Sequence, residues 1–297
     1  MVILRSVTMR NYRRYQGEVE LELGDGITVV SMPPGKGKTT VLEAISWCLF
    51  GSGGSSNASE IPNAQEMCGG GAEVMIALSF DGGARLERSM SCPAEGGQEV
   101  RTERWSLVDR NGRAVQGMAD DEDDLMDLQE ELFPTACAYS NLVSGPGLLG
   151  GPGRIEKAVT SSGEWCCTDL PLRAGAEATS LFFEACPISM IDLVAYDPMG
   201  RPEVRVDPGG EVEAQEVRMA LLAHALGFIK AHDREGSCPI FLDELFHGMG
   251  ADLKGRALPA VLSFLEGRQV IFLLSDPSEV EALRATGTVD KELEIWG

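Results

Sequence analysis

The chain has no long apolar stretch of the kind that crosses a membrane. No run within its 297 residues approaches the roughly 18 consecutive apolar residues that a spanning helix needs. Its first residues, Met-Val-Ile-Leu-Arg, also lack the succession of charged, apolar and small residues that marks a signal peptide. With 43% hydrophobic and 24% charged residues, we expect a cytoplasmic globular protein with no membrane partner.

Cysteine patterns typical of metal sites are missing as well. The eight cysteines include no Cys-x-x-Cys pair, and the adjacent Cys166 and Cys167 could bond to each other only with strain. Buried or loop thiols are the interpretation that this spacing favours, and a structural metal site is disfavoured.

Positive charge is scarce. The sequence holds 25 Lys and Arg residues against 46 Asp and Glu residues, a net charge of −21. A protein that binds nucleic acid over much of its surface is basic, whereas this chain is acidic. We therefore expect any DNA binding to be weak or to depend on a partner. The densest acidic cluster, residues 120–131, is predicted to be a solvated helix start, because it lacks the turn glycine and ligand spacing of a Ca²⁺ loop.

A phosphate-binding P-loop is predicted at residues 31–40, Ser-Met-Pro-Pro-Gly-Lys-Gly-Lys-Thr-Thr. An apolar run at residues 27–30 precedes it as a predicted buried strand, and a helical pattern that ends at Gly51 follows it. Such a loop wraps backbone N–H groups around a polyphosphate, while a lysine reaches the outer phosphates and a hydroxyl binds Mg²⁺. The residues predicted to contact the nucleotide are Pro34, Gly35, Lys36, Gly37, Lys38, Thr39 and Thr40.

Met32 is the one departure within the loop. It stands five residues before Gly37, where this motif has glycine. If the turn requires a positive φ there, a bulky side chain costs about 1–2 kcal/mol.

A second motif of nucleotide sites lies at residues 239–244, Pro-Ile-Phe-Leu-Asp-Glu, an apolar strand that ends in two acids. This pattern has the form of a Walker B motif. Asp243 would hold Mg²⁺ through water at the carboxyl edge of a parallel sheet, and Glu244 would orient or deprotonate an attacking water. Another apolar strand at residues 269–274 follows a helical stretch, the order of a parallel crossover.

Residues 9–15, Met-Arg-Asn-Tyr-Arg-Arg-Tyr, together with these two motifs, resemble the ATPase heads of the SMC, RecF and RecN type, a branch of the ABC ATPases. The resemblance is best over residues 1–50 and about 203–280. It implies an α/β fold, a two-lobed head with a parallel core sheet and an antiparallel β layer. The alternating segments that would form this layer are residues 73–80, 85–91 and 101–109.

The resemblance also implies ATP and Mg²⁺ as cofactors. It places Arg13 near the phosphates, Lys38 on the β- and γ-phosphates, and Thr39 with Asp243 on the metal. Asn141 takes the position of the family's Q-loop glutamine, where it would reach the metal or its water, although its side chain is one methylene shorter.

Two segments that would complete the site of a second head are degenerate. Residues 207–211, Asp-Pro-Gly-Gly-Glu, match the family's signature loop, so Gly209 and Gly210 would face a γ-phosphate across a dimer. Pro208 replaces the serine of that loop, and Gly250 replaces the aspartate of the D-loop. A simple Pro-Gly-Gly turn before a helix is the alternative for the first segment, and His247 is interpreted as an ordinary loop histidine.

Family members interrupt the head with a long helical arm, but this sequence has no heptad repeat. The predicted division is lobe I at residues 1–150, a short connector at residues 151–171, and lobe II at residues 172–297. A naturally minimal head and a head whose arm was removed by engineering both fit this division.

By resemblance, ATP would bring two heads together, as a homodimer or with another ATPase head. The setting would be DNA repair, recombination or defence against foreign DNA, with a nuclease or other DNA-processing partner. Two alternatives stay open, a non-catalytic scaffold gated by nucleotide and the ATPase subunit of a transporter. Transporter subunits keep the signature serine and a switch histidine, whereas this chain has Pro208 and Ser275.

Overall fold

The computed structural model describes residues 2–51, 61–63, 71–93, 102–118, 142–144, 191–196, 202–206 and 236–295, with single positions between 219 and 233. The chain divides into two compact units. The N-terminal unit comprises Val2–Ala138 and Leu273–Gly297, and the central unit comprises Tyr139–Phe272. The predicted lobes 1–150 and 172–297 and the connector 151–171 stay a prediction, since the connector lies outside the described residues.

Strands and helices alternate in the order that the sequence indicates around both motifs. The described strands are β1 (Leu4–Arg10), β2 (Glu18–Glu22), β3 (Ile27–Ser31), β4 (Gly71–Phe80), β5 (Arg85–Pro93), β6 (Thr102–Val108), β7 (Ala114–Met118), β8 (Leu142–Ser144), β9 (Ile191–Tyr196), β10 (Pro202–Val206), β11 (Ile240–Asp243), β12 (Val270–Leu274) and β13 (Val289–Glu294). The described helices with defined bounds are α1 (Lys38–Phe50), α2 (Ala251–Phe264) and α3 (Pro277–Ala285).

The N-terminal unit contains an antiparallel sheet with the strand order β2-β1-β4-β5-β6-β7. Its strands β4, β5 and β6 confirm the three predicted alternating segments, with buried apolar side chains at alternating positions such as Val74, Ile76 and Leu78. Strand β7 was not predicted, because its described side chains are exposed or half-buried and show no apolar alternation. The antiparallel β layer implied by the resemblance is therefore present.

Helix α1 packs against this sheet through a buried arginine. Arg88 of β5 is 1% exposed, donates from Nε to the carbonyl oxygen of Cys48 at 3.1 Å, and pairs with Glu103 at 2.9 Å. A cation near the C-terminus of a helix is favoured by the helix dipole. This contact fixes the last turn of α1 on the β layer. Strand β1 belongs to the same layer and leads directly into residues 11–15.

The same unit carries the strand that leads into the P-loop. Strand β3 runs parallel to β13, with Ile27 opposite Val289 and Ser31 opposite Glu294. Asp276 is the N-cap of helix α3, and its carboxylate accepts from the Ser278 N–H at 2.9 Å.

In the central unit, β11 runs parallel to β8, and β9 pairs with β10 antiparallel. The entry to β11 is held by buried Asp233, which accepts from the Cys238 N–H at 3.1 Å and from Arg268 at 3.2 Å. Described positions between 219 and 230 are helical. Their apolar side chains are all buried, namely Met219, Leu222, Ala223, Ala225, Leu226 and Ile229. Among the described residues, no helix has the length and apolar character to cross a membrane.

Candidate nucleotide-binding site

The predicted P-loop has the backbone conformation that a phosphate cradle requires. Gly35 has φ of 73° and Gly37 has φ of 107°, both in the left-handed region that favours glycine. Gly37 is the N-cap of α1, whose first turn carries no acidic residue. The N–H groups at this helix start, with the positive end of the helix dipole, therefore fit an anion such as a polyphosphate.

Lys38 lies at the base of the loop. It is 6% exposed, and its Nζ donates to the Met32 carbonyl oxygen at 3.5 Å. Thr39, the next residue, is exposed, whereas Thr40 is buried within the N-terminal unit. Pro34, Gly35 and Lys36 are exposed on the outside of the turn. The structure thus brings together every residue predicted for the P-loop, and their nucleotide contacts stay a prediction.

The expected cost of Met32 is not incurred. Met32 does not have a positive φ, since the described non-glycine residues with positive φ are Asn11, Arg13 and Glu244. The residue extends the line of β3, donating its N–H to the Leu274 carbonyl oxygen at 2.9 Å, and it is 2% exposed. Its side chain fills a buried space that glycine would leave empty, which is a packing contribution and not a strain.

Tyr15 is a loop contact that the sequence reasoning missed. Its hydroxyl donates to the Gly37 carbonyl oxygen at 3.2 Å and lies 3.7 Å from the Met32 sulfur. Burial raises the pKa of the Tyr15 phenol to about 12, and the nearby charge of Arg14 opposes part of that rise. Tyr15 therefore stays a hydrogen-bond donor at neutral pH. No pattern within the P-loop points to it, because the contact spans 22 residues of sequence.

Residues 11–13 form an irregular connection after β1. Asn11 and Arg13 have φ of 52° and 49°. Asn11 accepts from the Gly17 N–H at 2.8 Å, and the Arg13 N–H donates to the Ile61 carbonyl at 2.8 Å. The Arg13 guanidinium pairs with Glu43 of α1 at 2.5 Å. The role of Arg13 at the phosphates stays a prediction, and its charge is already partly compensated by this carboxylate.

The central unit places the two predicted acids at the end of β11. Asp243 is the last residue of the strand and is 1% exposed. Glu244 follows with φ of 48°, a left-handed conformation that is unfavourable for a residue with a side chain. A strained backbone at a residue predicted to act in catalysis supports that prediction.

His247 lies in the turn that follows. Its Nδ1 is 3.6 Å from a Glu244 carboxylate oxygen, and its N–H donates to the Glu244 carbonyl at 2.9 Å. The imidazole is 52% exposed. Gly250 is the N-cap of α2 and has no side chain that could replace the D-loop aspartate. His247 is therefore a loop residue that also neighbours the predicted catalytic acid.

Three predicted site residues lie outside the described residues, namely Asn141, Gly209 and Gly210. The signature-like loop and the Q-loop position therefore stay predictions. Among the described residues, no group of three or more His, Cys, Asp or Glu side chains is arranged to hold a metal ion.

Comparison with known proteins agrees with these motifs. A family model described as an AAA domain matches residues 6–139. The chromosome partition protein Smc of Desulfitobacterium hafniense is 44% identical over 48 residues, which are 16% of this chain and 4% of that protein. The matched stretch is thus a small part of the length of this relative.

Solved SMC heads share the fold. The SMC head domain from Thermotoga maritima matches with a TM-score of 0.53 at 16% identity, covering 99% of this chain and 95% of that chain. An Smc head bound to the C-terminal winged-helix domain of ScpA has a TM-score of 0.56 at 14% identity, covering 94% and 92%. A third head, with an extended coiled coil and bound to a ScpA domain derived from Pyrococcus furiosus, has a TM-score of 0.54 at 12% identity, covering 95% and 92%.

Proposed function

Because the chain has the fold of an SMC-type ATPase head, we propose that it binds ATP with Mg²⁺ and hydrolyses it. The observation that carries this proposal is the loop before α1. Its two left-handed glycines open the backbone N–H groups toward an anion, and Lys38 is buried at its base. A lysine at the base of such a loop can make a charge-assisted contact with the outer phosphates, while the N–H groups of the helix start bind the rest of the polyphosphate.

In the proposed chemistry, Lys38 would neutralise the β- and γ-phosphates, and Thr39 would bind Mg²⁺. Asp243 would hold Mg²⁺ through water, and Glu244 would orient the attacking water and accept its proton. When bound, Mg²⁺ would stabilise the charge that develops on the transferred phosphoryl group.

The binding half of the proposal is tested by Lys38→Ala. We expect isothermal titration to show at least a tenfold loss of ATP affinity, because a charge-assisted contact to phosphate contributes about 1.5–3 kcal/mol. The control is Lys291→Ala, which removes a lysine of the same unit that pairs with Glu22 at 3.1 Å on the surface. An ATP affinity of Lys38→Ala equal to that of the parent would show that this loop is not the nucleotide site.

We propose that ATP brings two heads together and that a second protein supplies contact with DNA. The net charge of −21 disfavours strong intrinsic binding to a polyanion. Two of the similar solved heads are bound to domains of ScpA, which supports a protein partner for this fold. DNA repair, recombination or defence against foreign DNA, with a nuclease as that partner, is the proposed setting. Submicromolar binding of duplex DNA by the isolated chain at about 0.15 M salt would contradict the proposal that contact with DNA depends on a second protein.

A non-catalytic scaffold that changes conformation with nucleotide is the second candidate. Gly250 is the observation that favours it, since the N-cap position of α2 has no side chain where the family's D-loop has aspartate, and the acid of the first turn is Asp252, two residues later. The scaffold would bind ATP through Lys38 and show no turnover with or without a partner head. Steady phosphate release that depends on Glu244 would exclude it.

A further inference from the structure

Two consecutive arginines follow β1, and the structure gives them different surroundings. The Arg13 guanidinium pairs with Glu43, and both side chains are about one-fifth exposed, at 21% and 20%. The Arg13 backbone is also held, because its N–H donates to Ile61 and its carbonyl accepts from Asn63 Nδ2 at 2.6 Å. These contacts turn the Arg13 side chain toward α1, where its charge is paired with the Glu43 carboxylate.

Arg14 lies against the phosphate loop instead. A Cβ atom built on Gly37 would stand 2.7 Å from Arg14 Cδ, so the arginine stem covers the residue at which the loop becomes α1. The side chain is exposed and forms no ion pair with any described residue. Its positive charge acts on the Tyr15 hydroxyl, which itself bonds to the Gly37 carbonyl oxygen at 3.2 Å.

Tyr15 holds this arrangement in place. Its ring is 6% exposed, and its hydroxyl lies 3.0 Å from the same Cβ position on Gly37. The backbone of residues 14 and 15 is therefore fixed on the loop by a buried side chain, while the neighbouring arginine keeps its charge at the surface. An exposed, planar cation beside the N-terminus of α1 has the chemistry to bind phosphate oxygens.

We propose that Arg14, and not Arg13, is the arginine of the N-terminal segment that binds the phosphate chain of the nucleotide. This inference rests on the proposed ATP site and adds one ligand to it. The neighbouring Arg13 serves to fix the segment on α1 through Glu43, so its removal acts on folding more than on phosphate binding.

The test measures the affinity of a fluorescent ATP analogue for Arg14→Gln and for the parent. We expect about a tenfold weaker affinity and a shallower dependence on salt, because one charge-assisted contact is lost. The matched control is Arg10→Gln, which removes an exposed arginine at the end of β1, and we expect it to bind like the parent. Arg13→Gln is expected to lower the melting temperature while retaining most of the affinity.

Each outcome decides one claim. If Lys38→Ala abolishes binding while Arg14→Gln binds ATP like the parent, Arg14 is not a ligand and the ATP site stands. If Lys38→Ala also binds like the parent, the proposed function itself fails. Thermal unfolding is recorded for every variant. Should Arg14→Gln unfold early, Arg14→Met keeps an unbranched stem over Gly37 and is judged by the same tenfold criterion, and unchanged affinity would again overturn the assignment.

Discussion

The P-loop and the turn after β11 both require left-handed backbone, and they achieve it with different residues. In the loop, Gly35 and Gly37 take φ of 73° and 107°. After β11, Glu244 takes φ of 48° despite its side chain. Glycine accepts this conformation without a steric penalty, whereas another residue loses about 1–2 kcal/mol.

The difference shows which atoms each turn contributes. The loop presents backbone N–H groups, so a residue without a side chain serves it best. The turn after β11 presents a carboxylate, and no glycine can supply one. The left-handed conformation of Glu244 fits its predicted catalytic role, which needs a side chain at that position.

The largest expected effect comes from removing that carboxylate. We expect Glu244→Gln to lower ATP hydrolysis by about 10²–10⁴-fold, because the amide can neither orient water in the same way nor accept its proton. ATP binding is expected to remain, since Lys38 and Thr39 are unchanged. Phosphate release and nucleotide affinity are measured together, with Glu266→Gln as a control at an exposed glutamate of the same unit. Hydrolysis at the parent rate would refute the role of Glu244.

Gly37→Ala is expected to have the next largest effect. The added Cβ would meet Arg14 Cδ at 2.7 Å and Tyr15 Oη at 3.0 Å, in addition to the backbone penalty. We expect a loss of about 2–3 kcal/mol in the free energy of unfolding, measured with urea, and loss of ATP binding.

Gly35→Ala is the matched control for this change. Gly35 is also left-handed, but a Cβ there would meet no atom within 4 Å. Its cost should be the backbone penalty alone, about 1–2 kcal/mol. Equal destabilisation by the two alanines would mean that the contact of Arg14 and Tyr15 with the loop does not constrain Gly37.

The smallest expected effect is a gain in stability from Glu244→Gly. Relief of the left-handed backbone outweighs the extra freedom of glycine in the unfolded chain, for a net gain of about 0.5–1 kcal/mol in the free energy of unfolding. Urea denaturation measures the gain. His247→Ala reports separately the loss of the contact between Glu244 and His247, which is 3.6 Å long. If Glu244→Gly lowers the free energy of unfolding by more than His247→Ala does, the backbone at Glu244 is not strained.

Structural elements that are specified by residues close together in the sequence were predicted well. The P-loop turn and the stop of α1 at its C-cap Gly51 follow from the glycine spacing, whereas α1 begins at Lys38, within the predicted loop. The strands before both motifs are apolar runs bounded by turn residues, and the structure confirms them as β3 and β11. The weakly patterned strand β7 was missed, because its pairing with β6 and not its own periodicity defines it.

The sequence by itself determined the local geometry of the phosphate loop, because left-handed glycines and a helix start are constraints within a few residues. Tertiary structure decided which side chains meet that loop. Arg13 and Arg14 are adjacent and chemically identical, yet only Arg14 lies on Gly37. The choice depends on bonds from Arg13 to Ile61 and Asn63 and on its pairing with Glu43, 30 or more residues away in the chain. Those contacts orient the backbone after β1, and no pattern of neighbouring residues encodes them.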